Sequence, residues 1–342
     1  MGAEECVFCE GTCYKQTIVN GTGDCDPFGT NIWWDNVPYV IFLLCFIGIC
    51  GHIIVFVAVL KYLRHNVTYM LLAGLFVADF LWCVLWGSSH FYVLIWDERY
   101  FYGKGVGCEV MGGFAYACCV SNVCHNALIA SERYWMVCNP LRKQMTPRTL
   151  LRYYTSIWLL AIVLAFCIHS MGGSVLTYSK LYCFADFYDA GNFAVTITCF
   201  SIALPIASFC YWKVYWRLQQ MVSRTHSSQS SPMRSAARAF MVVYVFMMAC
   251  WSPNVIYVLF MVAGIISWDN SAGWDVAAHI FVTINASLNP LLALYLFPKL
   301  GSSAKKLFGV SSVSPYAVTQ SPKDVAKSVT LSSDSGGTTT ND

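Results

Sequence analysis

Charge is what this 342-residue chain has least of: 11% of its residues are Asp, Glu, Lys or Arg, against 57% hydrophobic, with a mean hydropathy of +0.54. Soluble domains carry roughly 25% charged residues, so a water-soluble globule is excluded. The shortage is concentrated. Val37–Leu60, Val110–Ser131, Tyr153–Ser179, Ala190–Trp212, Ala239–Trp268 and Val276–Pro298 contain no formal charge, and Asn66–Trp96 contains one, Asp79. A bilayer core needs about 20 apolar residues per helix, and lipid cannot satisfy open backbone groups. An all-α membrane protein with seven spanning helices follows. The runs are too long and too evenly apolar for the strands of about 10 residues in a membrane barrel.

An apolar signal-peptide core is also missing. Residues 1–36 carry Glu4, Glu5, Glu10, Asp24, Asp26 and Asp35, so the first span is expected to act as an uncleaved anchor. No internal repeat is visible. The expected organisation is a segment 1–36, one membrane domain 37–308, and a disordered tail 309–342 rich in Ser and Thr. The connection 223–235 reads as a mobile linker. Before the tail, Pro298-Lys299-Leu300 and Ala304-Lys305-Lys306-Leu307-Phe308 have the spacing of a short amphipathic eighth helix, suited to an anionic lipid leaflet.

Basic residues set the orientation. If Lys61 and Arg64 are cytoplasmic, only Lys15, Arg99, Lys104 and Lys180 fall outside, leaving 17 of the 21 Lys and Arg inside. The N-terminus is therefore expected outside, in a multi-pass protein of the plasma membrane. Asn20-Gly21-Thr22 would then be a usable glycosylation sequon, and Asn66-Val67-Thr68 would stay bare. Cys6, Cys9, Cys13 and Cys25 lie where oxidation is allowed; three pairings are open, and zinc is the weaker alternative. The cysteines within the spans read as small packing residues.

Two places carry chemistry. Glu132-Arg133-Tyr134 closes the third span, where an adjacent acid and base can satisfy each other or wait for a partner; a snorkelled interfacial pair is the plain structural alternative. Cys108 lies 25 residues earlier, about one membrane crossing at 1.5 Å per residue. Asp79, the charge within a span, is a functional candidate by default.

With these landmarks the chain resembles a rhodopsin-like (class A) G-protein-coupled receptor over its whole membrane domain. Leu75-Phe76-Val77-Ala78-Asp79 is similar to the second-helix motif, Cys108 and Glu132-Arg133-Tyr134 to the third, and Trp158 to the lone fourth-helix tryptophan. Pro205 suits the fifth helix, Cys250-Trp251-Ser252-Pro253 the sixth, and Asn289-Pro290 opens the seventh-helix motif. Val137-Cys138-Asn139-Pro140 adds an opsin-like flavour.

The resemblance implies a disulfide between Cys108 and Cys183, and contact of Glu132, Arg133, Tyr134 and Leu141 with a heterotrimeric G protein. Arg217, Arg224, Arg234 and Arg238 would form a basic rim. It implies a switch at Trp251, Pro253 and Pro290. Asp79, Asn122, Asn285 and Asn289 would form a polar pocket, holding either a sodium ion or a protonated carboxyl with water. Ser328–Ser335 could accept phosphates for an arrestin-like partner, or remain ordinary tail.

Departures from the family pattern matter as much. His52 follows Gly51 where the family has Asn; Ala293 takes the place of a seventh-helix tyrosine, with Tyr295 two residues on. Lys213 stands where a fifth-helix tyrosine is usual, and Met233 replaces the acidic partner of the arginine. These put the usual inactive-state lock and the active-state tyrosine network in doubt, and point to either high basal activity or an unusual switch. Thr283 occupies the retinal-lysine position and Met111 the counterion position, so covalent retinal is disfavoured and no cofactor is expected. The amine-receptor aspartate falls at Ala115.

The implied ligand pocket is Met111, Ala115, Tyr116, Cys119, Ile197, Trp251, Asn254, Val258, His279 and Thr283, apolar with few polar groups. It suits a neutral lipid-like or retinoid-like small molecule. His279 either anchors a carboxylate, senses pH, or is structural. The expected function is a receptor driving nucleotide exchange on a G protein, with membrane lipids as neighbours and no nucleic-acid partner. The competing readings are a degenerate opsin-like protein that binds retinoid or lipid non-covalently, and a transporter, which would want more ionisable groups at mid-membrane. An enzyme is not expected: no nucleophile–base pair or metal-ligand spacing occurs in the domain.

Overall fold

A computed structural model describes residues 6–9, 12–15, 32–96, 106–139, 141, 145–176, 182–187, 189–224, 232–265 and 272–310. Asn20, Cys25, Pro140, the middle of the 223–235 linker and the Ser328–Ser335 cluster lie outside these residues, as do the side chains of Cys6, Cys9, Cys13 and Arg224.

Seven long helices carry the architecture: α1 (Ile32–Ala58), α2 (Val67–Trp96), α3 (Val106–Cys138), α4 (Pro147–Met171), α5 (Ala190–Arg224), α6 (Pro232–Val262) and α7 (Ala272–Leu296). The short α8 (Pro298–Leu307) follows. Six of the seven are long and apolar enough to cross a membrane by length and composition. α3 is the exception in composition only. Its 33 residues reach about 50 Å, but it packs against α2, α4, α5 and α6. Shielded by neighbours, it keeps Ser121, Asn122, His125, Asn126, Glu132 and Arg133 buried.

Local chemistry sets the ends. Asn66 accepts from the Thr68 amide at 3.0 Å, opening α2. Thr146 accepts from the Thr149 amide at 3.2 Å and Pro147 takes the first helical position of α4, where a missing N–H costs nothing. Gly173, at φ +72°, ends α4 with its amide on Ile168, a left-handed conformation that glycine adopts without a Cβ clash. In α8 Leu300 and Ala304 are buried while Lys305 and Lys306 face out, the two-sided pattern the spacing predicts. A wider π-type turn, Val59–Leu63, follows α1.

Two small antiparallel ribbons were not foreseen in the sequence. β1 (Cys6–Cys9) pairs with β2 (Thr12–Lys15). β3 (Ser174–Leu176) pairs with β4 (Cys183–Ala185), with Val175 opposite Phe184. The second ribbon lies on α3, and Cys183 forms a disulfide with Cys108 at a Cα separation of 5.3 Å. That bond pins the ribbon over one end of the bundle.

Candidate functional site

Three groups of side chains are stacked along the bundle, from the Cys108 end to the Arg133 end.

At the Cys108 end, a cavity of about 280 Å³ opens between α3, α5 and α6. Tyr116, Cys119, Phe184, Thr196, Ile197, Phe200, Trp251, Asn254 and Val258 are among its walls. A smaller one of about 70 Å³ lies toward α7, walled by Trp82, Tyr182, Phe184, Phe187, Asn254, Tyr257, Asp275 and His279. Asn254 and Val258 line both. Of the residues expected here, Met111, Ala115 and Thr283 line neither. Ala115 and Thr283 are fully buried; Ala115, with Met111 against it, belongs to a cluster that includes Tyr182, and Thr283 accepts from the Trp82 indole at 3.5 Å. The reason is the ribbon: Tyr182 and Phe184 descend from β4 and its approach and fill the space between α3 and α7, pushing open volume toward α5 and α6.

His279 is the hub of this end. Its ring stacks on Tyr182 at 4.0 Å and lies 5.1 Å from Trp86 and 5.9 Å from His90. Its Nε2, the Trp86 indole nitrogen and the His90 Nε2 are buried without a hydrogen-bonding partner. The structure therefore gives His279 aromatic packing in place of a bonded Nε2. Tyr182 donates a short hydrogen bond to Asp275, one turn before His279. Sequence reasoning missed several lining residues, among them Trp82, Tyr182, Phe184, Phe187, Thr196 and Phe200; for Tyr182 and Phe184, their position beside Cys183 was the available signal. Asp275 and Tyr257, a turn from His279 and Pro253, carried none.

In the middle, Asp79 is 3% exposed. Asn122 donates to one carboxylate oxygen and Asn289 to the other, each at 2.6 Å. Asn285 donates to Asn289 at 3.4 Å and accepts from the Trp251 indole at 3.4 Å. The four expected residues thus converge, with Trp251 joining them to the larger cavity. The donor set is oxygen only, and each carboxylate and amide oxygen bonded here keeps a second lone pair, so the cluster fits a hard monovalent cation. His52 has an evident job: its Nε2 meets the Ala286 carbonyl at 3.0 Å, tying α1 to α7 in place of the family's Asn.

At the third group, Glu132 and Arg133 do not satisfy each other; of the two arrangements the sequence allowed, the structure has the pair without mutual hydrogen bonds. Both are buried, yet Glu132 Oε1 and Arg133 Nε and Nη2 have no hydrogen-bonding partner. Successive helical side chains diverge by about 100°, so neighbours in sequence do not face one another. The guanidinium instead lies 5.2 Å from the Phe240 ring centroid and reaches Thr68 Oγ1 at a long 3.4 Å. Tyr134 leans on Trp135, and Leu141 is fully exposed. Ala293 is buried while Tyr295 is 83% exposed, so Tyr295 points away from this cluster and does not replace the missing tyrosine. Tyr211 turns inward to pack on Tyr244 at 4.9 Å, two residues before Lys213. Pro253 and Pro290 sit inside α6 and α7, where each removes a backbone donor.

Comparison with known proteins agrees with this arrangement. The model of the 7 transmembrane receptor (rhodopsin family) matches residues 51–292. The chain is 22% identical to trace amine-associated receptor 1 of Mus musculus over 282 residues, covering 75% of this chain and 83% of that one. It is 30% identical to Opsin-VA of Rutilus rutilus over 221 residues, 59% of this chain and 54% of the relative. The match to 5-hydroxytryptamine receptor 2B of Drosophila melanogaster is 26% over 194 residues, and spans 54% of this chain but only 30% of the fly protein. Squid rhodopsin superposes with a TM-score of 0.64 at 17% identity, over 90% of this chain and 93% of its own, which speaks to the fold. With a family match across most of the helical bundle, the chain is a multi-pass membrane protein of the rhodopsin-like (class A) G-protein-coupled receptor family, a family of receptors and not of enzymes.

Proposed function

We propose that this receptor turns occupation of the cavity beneath the β3–β4 ribbon into nucleotide exchange on a heterotrimeric G protein. The observation that carries the reading is the buried Arg133, with two nitrogens unpartnered under Phe240. A buried cation without full hydrogen bonding is costly, so a state that releases it to an outside partner is favoured by that partner's binding. Residue by residue, the ligand's apolar body would lie against Tyr116, Cys119, Phe200 and Trp251, with Asn254 as a polar contact. Such a wall favours a neutral, largely apolar small molecule.

Movement of Trp251 would reach Asn285 and the Asp79 cluster, where a sodium ion would stabilise the resting state. An outward swing of α6 about Pro253 would lift Phe240 from Arg133, a population shift between two arrangements. Arg133, Tyr134 and Leu141 then meet the G protein, which places that end in the cytoplasm and the N-terminus outside, in the plasma membrane. The Ser328–Ser335 tail would recruit an arrestin-like partner once phosphorylated.

The test is nucleotide exchange on a panel of G proteins by the full chain in cell membranes, with Arg133→Ala beside it. Exchange lost in the variant supports the reading; exchange indifferent to Arg133 would sink it.

A further inference from the structure

We infer that the Arg133 end carries a binding groove for the headgroup of an anionic phospholipid, on the flank of the bundle between α3 and α5. A groove of about 510 Å³ lies there, lined by Tyr134 and Cys138 of α3 and by Trp212, Lys213, Trp216 and Arg217 of α5. The α5 residues recur at intervals of four, so they share one helical face. Tyr134 and Cys138, also four apart, form the opposite wall.

Charge and hydrogen bonding specify the guest. Two cations share the groove, no carboxylate lines it among the described residues, and α5 contains no Asp or Glu from Ala190 to Arg224. Arg217 Nε is buried without a hydrogen-bonding partner, and its Nη1 makes one long contact, 3.5 Å, to Gln220. Lys213 Nζ lies 4.8 Å from the Trp212 ring centroid and 5.5 Å from that of Phe209, so its stem is held along the groove with the ammonium exposed. A guanidinium and an ammonium on one wall match a phosphate, through paired N–H groups and a point charge.

The surroundings specify the source. Trp212 and Trp216 are about half exposed, at 53% and 52%, the amphipathic rings expected at headgroup depth. From there the exposed Phe209 and Ile206 continue up the outside of α5, a track for an acyl chain. The groove therefore opens sideways to lipid, separate from Arg133, which is enclosed between α3 and α6. A basic site on the cytoplasmic side is where anionic lipids are abundant; this placement rests on the orientation proposed above.

The experiment uses the purified full chain in nanodiscs of phosphatidylcholine containing phosphatidylserine, with retained lipid counted by native mass spectrometry. One tightly held phosphatidylserine is expected. The double variant Lys213→Gln/Arg217→Gln should weaken it roughly thirtyfold, since each surface cation contributes about a factor of five. Lys213→Arg/Arg217→Lys should retain it, and so should Lys305→Gln/Lys306→Gln in α8. Retention unchanged by the Gln pair would overturn the proposal. So would equal competition by water-soluble glycerophosphoserine, which would make the site a phosphate site, or preferential displacement by an acidic peptide, which would make it a protein contact. A nanodisc presents the same lipid on both faces, so binding reads the groove whichever way the chain crosses. Failure of the proposed orientation would show only in glycan or epitope mapping.

Discussion

The Arg133 guanidinium sits 5.2 Å from the centroid of the Phe240 ring, so α6 offers it an aromatic face instead of an acid. Met233, at that acidic position, leaves α6 without a carboxylate partner for the arginine. A cation over an aromatic face is worth about 2 kcal/mol when desolvated, and both residues are buried here, at 3% and 1% exposure. Phe240→Ala should therefore raise ligand-free nucleotide exchange, by up to roughly thirtyfold in the open-to-closed ratio. Phe240→Tyr, which keeps the ring, should leave it near the starting level. Equal basal exchange in Ala and Tyr variants would remove Phe240 from the resting state.

Asp79 leads to a second outcome. Its two oxygens each accept one amide, from Asn122 and Asn289. Asp79→Asn keeps the shape but supplies one oxygen and one NH2, so one of the two donors faces another donor. A loss of about 1–2 kcal/mol in thermal unfolding follows. With the charge gone, replacing sodium chloride by choline chloride should no longer change basal exchange, whereas the unaltered receptor should become more active in choline. A variant as sensitive to sodium as the parent would rule out an ion held here.

Gly74 of α2 lies directly against Tyr154 of α4. A Cβ added there would meet the Tyr154 ring and hydroxyl, and that hydroxyl donates to the Met70 carbonyl at 2.6 Å. The ring is fixed by its hydrogen bond, so it has little room to yield. Gly74→Ala should cost about 1–3 kcal/mol, read as a lowered Tm in detergent. Tyr154→Leu introduced alongside should recover part of that loss; a double variant no better than the single one would show that the clash lies elsewhere.

The helices were legible because each span is a run of residues without formal charge, and a hydrocarbon medium leaves the backbone little alternative. Of the Asp79 cluster, only Asp79 was legible from the residues themselves, as the one formal charge within a span; that Asn122, Asn285 and Asn289 gather around it was implied by the family resemblance. What escaped was set by partners distant in sequence. Whether Met111 and Ala115 line a cavity or pack depends on where Tyr182 and Phe184 come down, and that depends on the Cys108–Cys183 bond and the ribbon register. Phe240 carries no local mark that separates it from other apolar residues of α6. For Glu132 and Arg133 the sequence left two arrangements open, and helix geometry decides between them: neighbours in sequence point about 100° apart and do not face one another.

Tyr182 offers a test in pH. It lies outside the helices, and burial first, with the Asp275 carboxylate second, pushes its phenol well above the ordinary value of about 10. A raised folded-state pKa means that the folded protein holds this proton more tightly than the unfolded chain. Its contribution is then complete below about pH 10 and declines as pH rises toward the folded-state value. Tyr182→Phe lacks both the titration and the hydrogen bond to Asp275, a bond to a carboxylate worth about 2 kcal/mol. At pH 7 to 9 the parent should be the more stable by that amount in thermal unfolding, and the gap should narrow above about pH 10. A gap that stayed constant through the alkaline range, or that widened, would mean that the phenol and the carboxylate do not share a proton-dependent contact.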